Sequence, residues 1–373
     1  MLTNKSNPAL DPDQDDAGEG ESKTPFLIKK VQCPVCSSWS EQIRFKIKLY
    51  SEKNFDLDRH VKEYGWTDPD FKIYHPPLYY FWHCPGCHFT ESFLDFEAPG
   101  KQIWSNFRHI KDTFRTKTLE DPKIEKLVSW LGKAIDYNTM NYVQAVRLHL
   151  LAIYVQEMLE NQEGWDSLKL GRYYLRLGWL FREMEENKSR ELSTIKSIIS
   201  EVKKLWPTVP LNEQDNLKKA LEFLNIAFQK HPGIKNPVAE IDMLMWLAGI
   251  QMKLGDESKG LEYLNQVLQR GQKTTQKIDQ RLKTPNISTE EETTLFSQQK
   301  KIGGHITKAR DTIQDIQYQK FQKQKTEAKV IVDKMKENPT EEIREALQKA
   351  GYSSKVIEAL VPEEKKKKLF GLF

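Results

Sequence analysis

The stretch FWHCPGCHFTES, Phe81 to Ser92, ends a hydrophobic run with a CxxC pair, and VQCPVCSSWS, Val31 to Ser40, carries the same arrangement at Cys33 and Cys36. The two pairs hold all 4 cysteines of the chain. Each CxxC turn bends the backbone so that its two sulfurs face one direction, and two such turns complete a tetrahedron around a metal ion. The prolines after the first cysteines, Pro34 and Pro85, suit such turns, because their fixed φ fits the tight loop and their missing N–H leaves later amides free to point at sulfur. Cys33, Cys36, Cys84 and Cys87 are therefore the candidate metal ligands. Zinc prefers this closed set of soft sulfurs in structural sites; rubredoxin-like iron takes the same set, and spacing does not decide between the two metals. A dithiol redox pair is the third reading, but that chemistry uses one pair placed before a helix in a βαβ pattern, which neither pair has. His83 and His88 flank the second pair; with four sulfurs filling the tetrahedron they read as supporting groups rather than ligands. His60 and His75 have no ligand spacing and read as ordinary loop histidines.

The flanks of the cysteine pairs suggest a small β module. In IRFKIKLY, Ile43, Phe45, Ile47 and Leu49 alternate with Arg44, Lys46 and Lys48, which predicts a strand leaving the first pair. The aromatic run LYYFWH, Leu78 to His83, predicts a second strand entering the other pair. The insert between the pairs is longer than the usual zinc-ribbon gap, and a short helix over residues 56–64 and a turn at Pro76–Pro77 are expected to accommodate it.

From about Pro122 the pattern becomes helical. In YVQAVRLHLLAIYVQEMLE, Val143, Val146, Leu150, Ile153 and Met158 fall along one side, and a second helix, SLKLGRYYLRLGWLFREME, follows a break at Gly164. Antiparallel helix pairs bury their apolar seams by stacking on further pairs, and the tetratricopeptide pattern of about 34 residues is one such array. In LKKALEFLNIAFQKHP, Ala220, Leu224, Ala227 and Pro232 fit its second-helix positions. Further on, Leu247 and Ala248 fit a first helix, Gly255–Asp256 a turn, and Gly260, Leu264 and Val267 a second helix; a generic helical bundle has the same periodicity. Residues 285–336 read as a long polar helix with Ile302, Ile306, Ala309, Ile313 and Ile316 on one stripe, capping the last hairpin; five positions are too few to specify a coiled coil. Residues 337–362 read as a helical hairpin with Thr340 as its N-cap, although Ile343 stands where a full capping box needs Glu or Gln.

Composition narrows the function classes. A formal net charge of +4 over 373 residues is too small to indicate nucleic-acid binding by itself. No apolar run approaches the roughly 20 residues of a membrane span, and residues 1–24, with Asp11, Asp13, Asp15, Asp16, Glu19 and Glu21, read as a disordered acidic leader rather than a secretory signal. Paired cysteines without an export signal predict a cytoplasmic protein. The chain ends EEKKKKLFGLF, and residues 365–373 place four lysines beside Leu369, Phe370, Leu372 and Phe373. Weak contact with an anionic membrane surface or a protein groove is the functional reading of that tail, and a chain end without a role is the plain one. No phosphate-binding glycine loop, nucleophile elbow or HExxH helix occurs, so no enzymatic reaction is expected.

The combination of CPVC, a long insert, YYFWHCPGCHFTE and YYLRLGWLFRE resembles the bacterial family catalogued as domain of unknown function 2225 over about Lys29 to Gly271. The resemblance implies a zinc-ribbon-like module joined to tetratricopeptide-like helices, with Cys33, Cys36, Cys84 and Cys87 at the family's presumed ligand positions. Ser37 and His88 stand where many metal knuckles carry glycine, so a positive φ at these two positions would be strained.

The expected fold is thus α+β, mostly α. It comprises a leader over 1–24, a zinc-ribbon-like β module with a long insert over 25–120, tetratricopeptide-like repeats over 121–284, a long capping helix over 285–336, a helical hairpin over 337–362 and the tail 363–373. The expected function is that of a zinc-stabilised scaffold binding a protein partner in a repeat groove, lined by Arg172, Arg176 and Arg182. The alternative is a nucleic-acid-binding module in which the strip Arg44, Lys46 and Lys48 lies beside Trp39 and Trp82. A dithiol redox protein ranks third.

Overall fold

The computed structural model describes residues 24–96, 103–133, 135–160, 162 and 165–362; the leader up to residue 23, the break at Gly164 and the tail 363–373 lie outside them. The described residues are mostly helical, with short antiparallel strand pairs near the N-terminal end. They fall into two compact units, one running up to Phe55 and from His60 to Ala220, the other comprising Asp56–Arg59 and the described residues from Leu221 onward.

Among the described residues, six strands form three two-stranded antiparallel sheets: β1 (Phe26–Gln32) with β2 (Trp39–Phe45), β3 (Tyr50–Phe55) with β4 (Val61–Trp66), and β5 (Phe81–His83) with β6 (Thr90–Ser92). Each cysteine pair is the turn of one hairpin, since Cys33 and Cys36 lie between β1 and β2, and Cys84 and Cys87 between β5 and β6. The strand expected to run to Leu49 instead ends at Phe45, and Ile47–Leu49 forms a 3-10 turn. Phe45 ends the strand because its ring is buried against Phe26, Tyr79 and Trp66, an aromatic cluster that outweighs continued alternation. Leu78 likewise belongs to a 3-10 turn, Pro76–Tyr79, and only Phe81–His83 is strand. The short helix expected over 56–64 is absent: the segment is the turn of the β3–β4 hairpin and the start of β4, with Asn54 and Arg59 at positive φ bending the chain.

Helices fill the rest of the first unit: α1 (Phe93–Phe96), α2 (Ile103–Glu120), α3 (Pro122–Gly132), α4 (Tyr142–Met158), α5 (Ser167–Glu186) and α6 (Glu191–Lys203). One-sided burial was expected of α4, yet Leu148, His149, Leu150, Leu151, Ala152 and Ile153 are buried in succession. A helix enclosed on every side has no solvent face to keep polar, so α4 is the core of this unit and not the outer member of a repeat. Leu127, Leu131, Tyr174, Phe181 and Ile195 are buried with it. The division between the two compact units falls at Ala220, within α7 (Glu213–Lys230).

In the second unit, α8 (Pro237–Lys253), α9 (Glu257–Leu282) and α10 (Thr289–Lys334) share one apolar cluster that includes Ile241, Ala248, Leu264, Val267, Ile302 and Ala309. Gly255, at φ 84, makes the turn between α8 and α9. The stripe read in α10 faces that cluster, with Ile306 and Ile313 packed at its margin. Gly249 meets the backbone of Leu57 and Asp58 so closely that a Cβ there would lie 2.3 Å from the Asp58 amide nitrogen. A smaller cluster joins Ala328 of α10 to Ile343 and Leu347 of α11 (Thr340–Lys349) and to Val356 of α12 (Ser354–Leu360). Thr340 is the first helical residue and not the cap, because Pro339 occupies the cap position, at φ −56 and ψ 143.

Candidate metal centre

The two cysteine turns are built alike. Cys33 N–H donates to the Ser38 carbonyl at 2.8 Å and Ser37 N–H to the Cys33 carbonyl at 3.0 Å; Cys84 N–H donates to the Phe89 carbonyl at 2.9 Å and His88 N–H to the Cys84 carbonyl at 2.8 Å. Ser37 and His88 both take the left-handed conformation, φ 64 and φ 63, where the sequence placed a strained position. An L-residue there costs about 1–2 kcal/mol, and the closure of two hydrogen-bonded turns offsets it.

The four Sγ atoms all lie within 4.8 Å of one another. Cys33 Sγ is 3.7 Å from Cys87 Sγ, and Cys36 Sγ is 3.5 Å from Cys84 Sγ. A sulfur tetrahedron around zinc at about 2.3 Å has edges of about 3.8 Å, so these separations suit one bound ion. Val35 N–H points at Cys33 Sγ at 3.4 Å, the amide-to-sulfur contact that the CPxC turn makes available. Cys33 and Cys84 are buried, Cys87 is half-buried and Cys36 is exposed. The thiols do not ionise independently: hydrogen bonds from Cys33 and then Cys87 pull Cys84 far below the ordinary thiol range, while the contact with Cys84 pushes Cys33 up to about 12. Cys87 is pushed higher still, first by Cys33 and then by Cys84. A divalent cation bound by these sulfurs would drive thiolate formation, since the ligand form of cysteine is the thiolate.

The flanking histidines lie beside this set rather than in it. His83 Nε2 and His88 Nδ1 are 3.1 Å apart with stacked rings, and burial draws His83 down to about 4. His88 also packs on α3, where a Cβ on Gly132 would come within 2.3 Å of its Nδ1; only glycine permits that approach.

Behind the second turn, β6 carries Glu91 into the helical core. Glu91 is 1% exposed, its carboxylate accepts from Tyr173 Oη and from Gln156 at 3.1 Å, and Lys169 Nζ lies 3.4 Å away. Burial lowers Lys169, but Glu91 and Asp95 more than reverse this and raise it above its ordinary value. At the other end of α5, the Glu183 carboxylate receives His60 Nε2 at 2.9 Å, His75 Nε2 at 2.7 Å and Tyr142 Oη at 3.2 Å. Burial pushes Glu183 up, yet the two imidazoles outweigh it and hold the carboxyl at about 2. Sequence reading treated His60 and His75 as loop residues and missed Glu91 and Glu183. No local signal marks Glu183, because α5 carries Arg172, Arg182, Glu185 and Glu186 besides, and its histidine partners lie far off in the sequence.

Two proposed surfaces do not assemble. Arg182 is buried and paired with Glu213 at 2.7 Å, Arg176 covers the Tyr80 ring at 3.7 Å, and Arg172 is exposed, so the three arginines line no common groove. Trp82 is 1% exposed and donates its indole N–H to the Ile43 carbonyl at 3.0 Å, which removes it from any stacking platform beside Trp39. The basic strip is broken as well, since the strand ends at Phe45 before Lys46 and Lys48.

Among the described residues no helix is long and apolar enough to cross a membrane. The family model described as "Uncharacterized protein conserved in bacteria (DUF2225)" matches residues 26–285. No curated protein matches the chain. No solved structure does either.

Proposed function

The chain belongs to the DUF2225 family of bacterial proteins, and from that premise we propose a cytoplasmic, non-catalytic scaffold whose module is held by one structural zinc ion on Cys33, Cys36, Cys84 and Cys87. The observation that carries the reading is the convergence of four sulfurs within 4.8 Å. Zinc bound there would supply cohesion only, because four protein ligands leave no position for water or substrate. Zinc is favoured over iron because a centre with two buried sulfurs and a fastening role needs no redox-active ion.

The protein partner is assigned to the tetratricopeptide-like helices. Gly260 of α9 lies against Met252 of α8, where a Cβ would meet its Cε at 2.5 Å, and Ala248 is buried in the cluster that α8 and α9 share, the close packing on which such arrays depend. The test is capture from the native host with the full chain and with a chain ending at residue 362. A single protein recovered in stoichiometric amount by both supports the scaffold. Recovery of nucleic acid instead, or of nothing above a mock control, contradicts it; recovery by the full chain alone moves the interaction to residues 363–373.

A further inference from the structure

The four cysteine residues are buried unequally, since Cys33 and Cys84 are 1% and 0% exposed while Cys36 is exposed. The exposed sulfur faces the other turn, with Cys36 Sγ 3.5 Å from Cys84 Sγ. The Ser38 hydroxyl touches both, at 2.9 Å from Cys36 Sγ and 3.3 Å from Cys84 Sγ. Gly86 packs beside the pair, since a Cβ there would sit 3.8 Å from each of these sulfurs and 3.2 Å from the Ser38 hydroxyl. Cys33 Sγ, on a buried residue, lies 3.7 Å from Cys87 Sγ. A separation near 3.5 Å is already that of two atoms poised to react.

We propose that Cys36 is an oxidative modification site, attacked by hydrogen peroxide from solvent and resolved by Cys84 into a disulfide that joins the two turns. This rests on the metal-centre reading and goes beyond it. In the first step the Cys36 sulfur takes one peroxide oxygen as the O–O bond breaks; Cys36 becomes a sulfenic acid, and the other oxygen leaves as hydroxide and is protonated to water. In the second step the Cys84 thiolate attacks the Cys36 sulfur, the S–S bond forms, the S–O bond breaks, and hydroxide leaves to become a second water. Two thiolates, one peroxide and two protons thus give one disulfide and two waters. The disulfide withdraws two of the four ligands, and Cys33 and Cys87 alone are too few to retain the ion. The exposed sulfur thereby makes a structural centre responsive to peroxide, and a thiol reductant restores it.

Tryptic digestion separates bridges within a turn from bridges between turns, and fragmentation of the joined peptides assigns the cysteines. Cys33 and Cys36 share the peptide Val31–Arg44, and Cys84 and Cys87 share the peptide Ile73–Lys101. The full chain, reduced and then freed of reductant, is assayed for metal content, treated with hydrogen peroxide and digested under non-reducing conditions. The expected product is the two peptides joined through Cys36 and Cys84, with release of the bound metal in step with the loss of two free thiols, and reversal by dithiothreitol. Bridges confined to one peptide, Cys33–Cys36 or Cys84–Cys87, overturn the inference, as do a join through Cys33 and Cys87, a sulfonic acid at Cys36 without a bridge, or thiols that resist peroxide. Metal content before oxidation is a separate readout. A chain without metal contradicts the centre, whichever bridge then forms, whereas a loaded chain that fails to form the Cys36–Cys84 bridge contradicts this inference alone.

Discussion

Between residues 26 and 96 the large buried side chains are mostly aromatic, among them Phe45, Phe81, Trp82, Phe89 and Phe96, and the three strand pairs share no common sheet. In the second unit, α8, α9 and α10 meet over the aliphatic cluster of Ile241, Leu244, Leu264, Val267 and Ile302. The first arrangement orients rings and turns but has little continuous backbone pairing, and it gathers four sulfurs and two buried carboxylates at its joints. The second needs none of these, because long helices bury aliphatic stripes directly. Small β modules lacking a broad core depend on local fasteners, so perturbing the fasteners should affect only the first region.

The largest expected effect follows from Cys84→Ser or from a strong chelator. Structural zinc supplies about 10–16 kcal/mol in small zinc-binding peptides, so its removal should abolish amide protection around residues 31–38 and 83–92. Hydrogen exchange should show α8, α9 and α10 unchanged; equal loss in both regions would erase the contrast. Gly249→Val is the converse experiment, aimed at the second unit. Its side chain would meet the Leu57–Asp58 backbone, and the expected cost of about 3 kcal/mol should appear in denaturant unfolding while metal content stays constant.

Acid tests the carboxylate joint. Glu183 has its carboxyl lowered from the ordinary 4.5 to about 2, so its stabilisation is complete above pH 4.5 and is lost as pH falls toward 2; this amounts to about 3 kcal/mol. Glu183→Gln should therefore destabilise the first unit at pH 7 and make little difference near pH 2, as followed by denaturant midpoints across that range. A variant equally destabilised at both ends would show that packing, not ionisation, matters there. The smallest effect is expected from Ser37→Gly, which removes the left-handed strain at φ 64 and should stabilise the first turn by about 0.5–1 kcal/mol. No rise in the thermal midpoint of the loaded protein would place the strain elsewhere.

What sequence alone could show followed the range of the interaction. Cys33 with Cys36, and Cys84 with Cys87, are local pairs whose turn chemistry is written in adjacent residues, and even the awkward positions Ser37 and His88 were identifiable. The α10 stripe was legible because helical period and burial agree along Ile302, Ile306 and Ala309. Partnerships made across the fold were not legible. Glu183 meets His60 and His75 from more than a hundred residues away, and nothing local distinguishes it from a solvated helix glutamate. The helix expected over 56–64 proved a hairpin turn and strand because Asp56–Arg59 carries no Gly or Pro to announce a turn, which relies instead on positive φ at Asn54 and Arg59. The enclosure of α4 was hidden for a different reason: nearly continuous apolar sequence fits a one-sided stripe as readily as burial on every side.

X-ray absorption at the metal edge of the purified full chain tests the central claim most directly. The account predicts one zinc per chain with four sulfur neighbours at about 2.3 Å and no oxygen or nitrogen in the coordination shell. A folded, metal-free chain with four reactive thiols, or a bound ion ligated by oxygen or nitrogen, would contradict it.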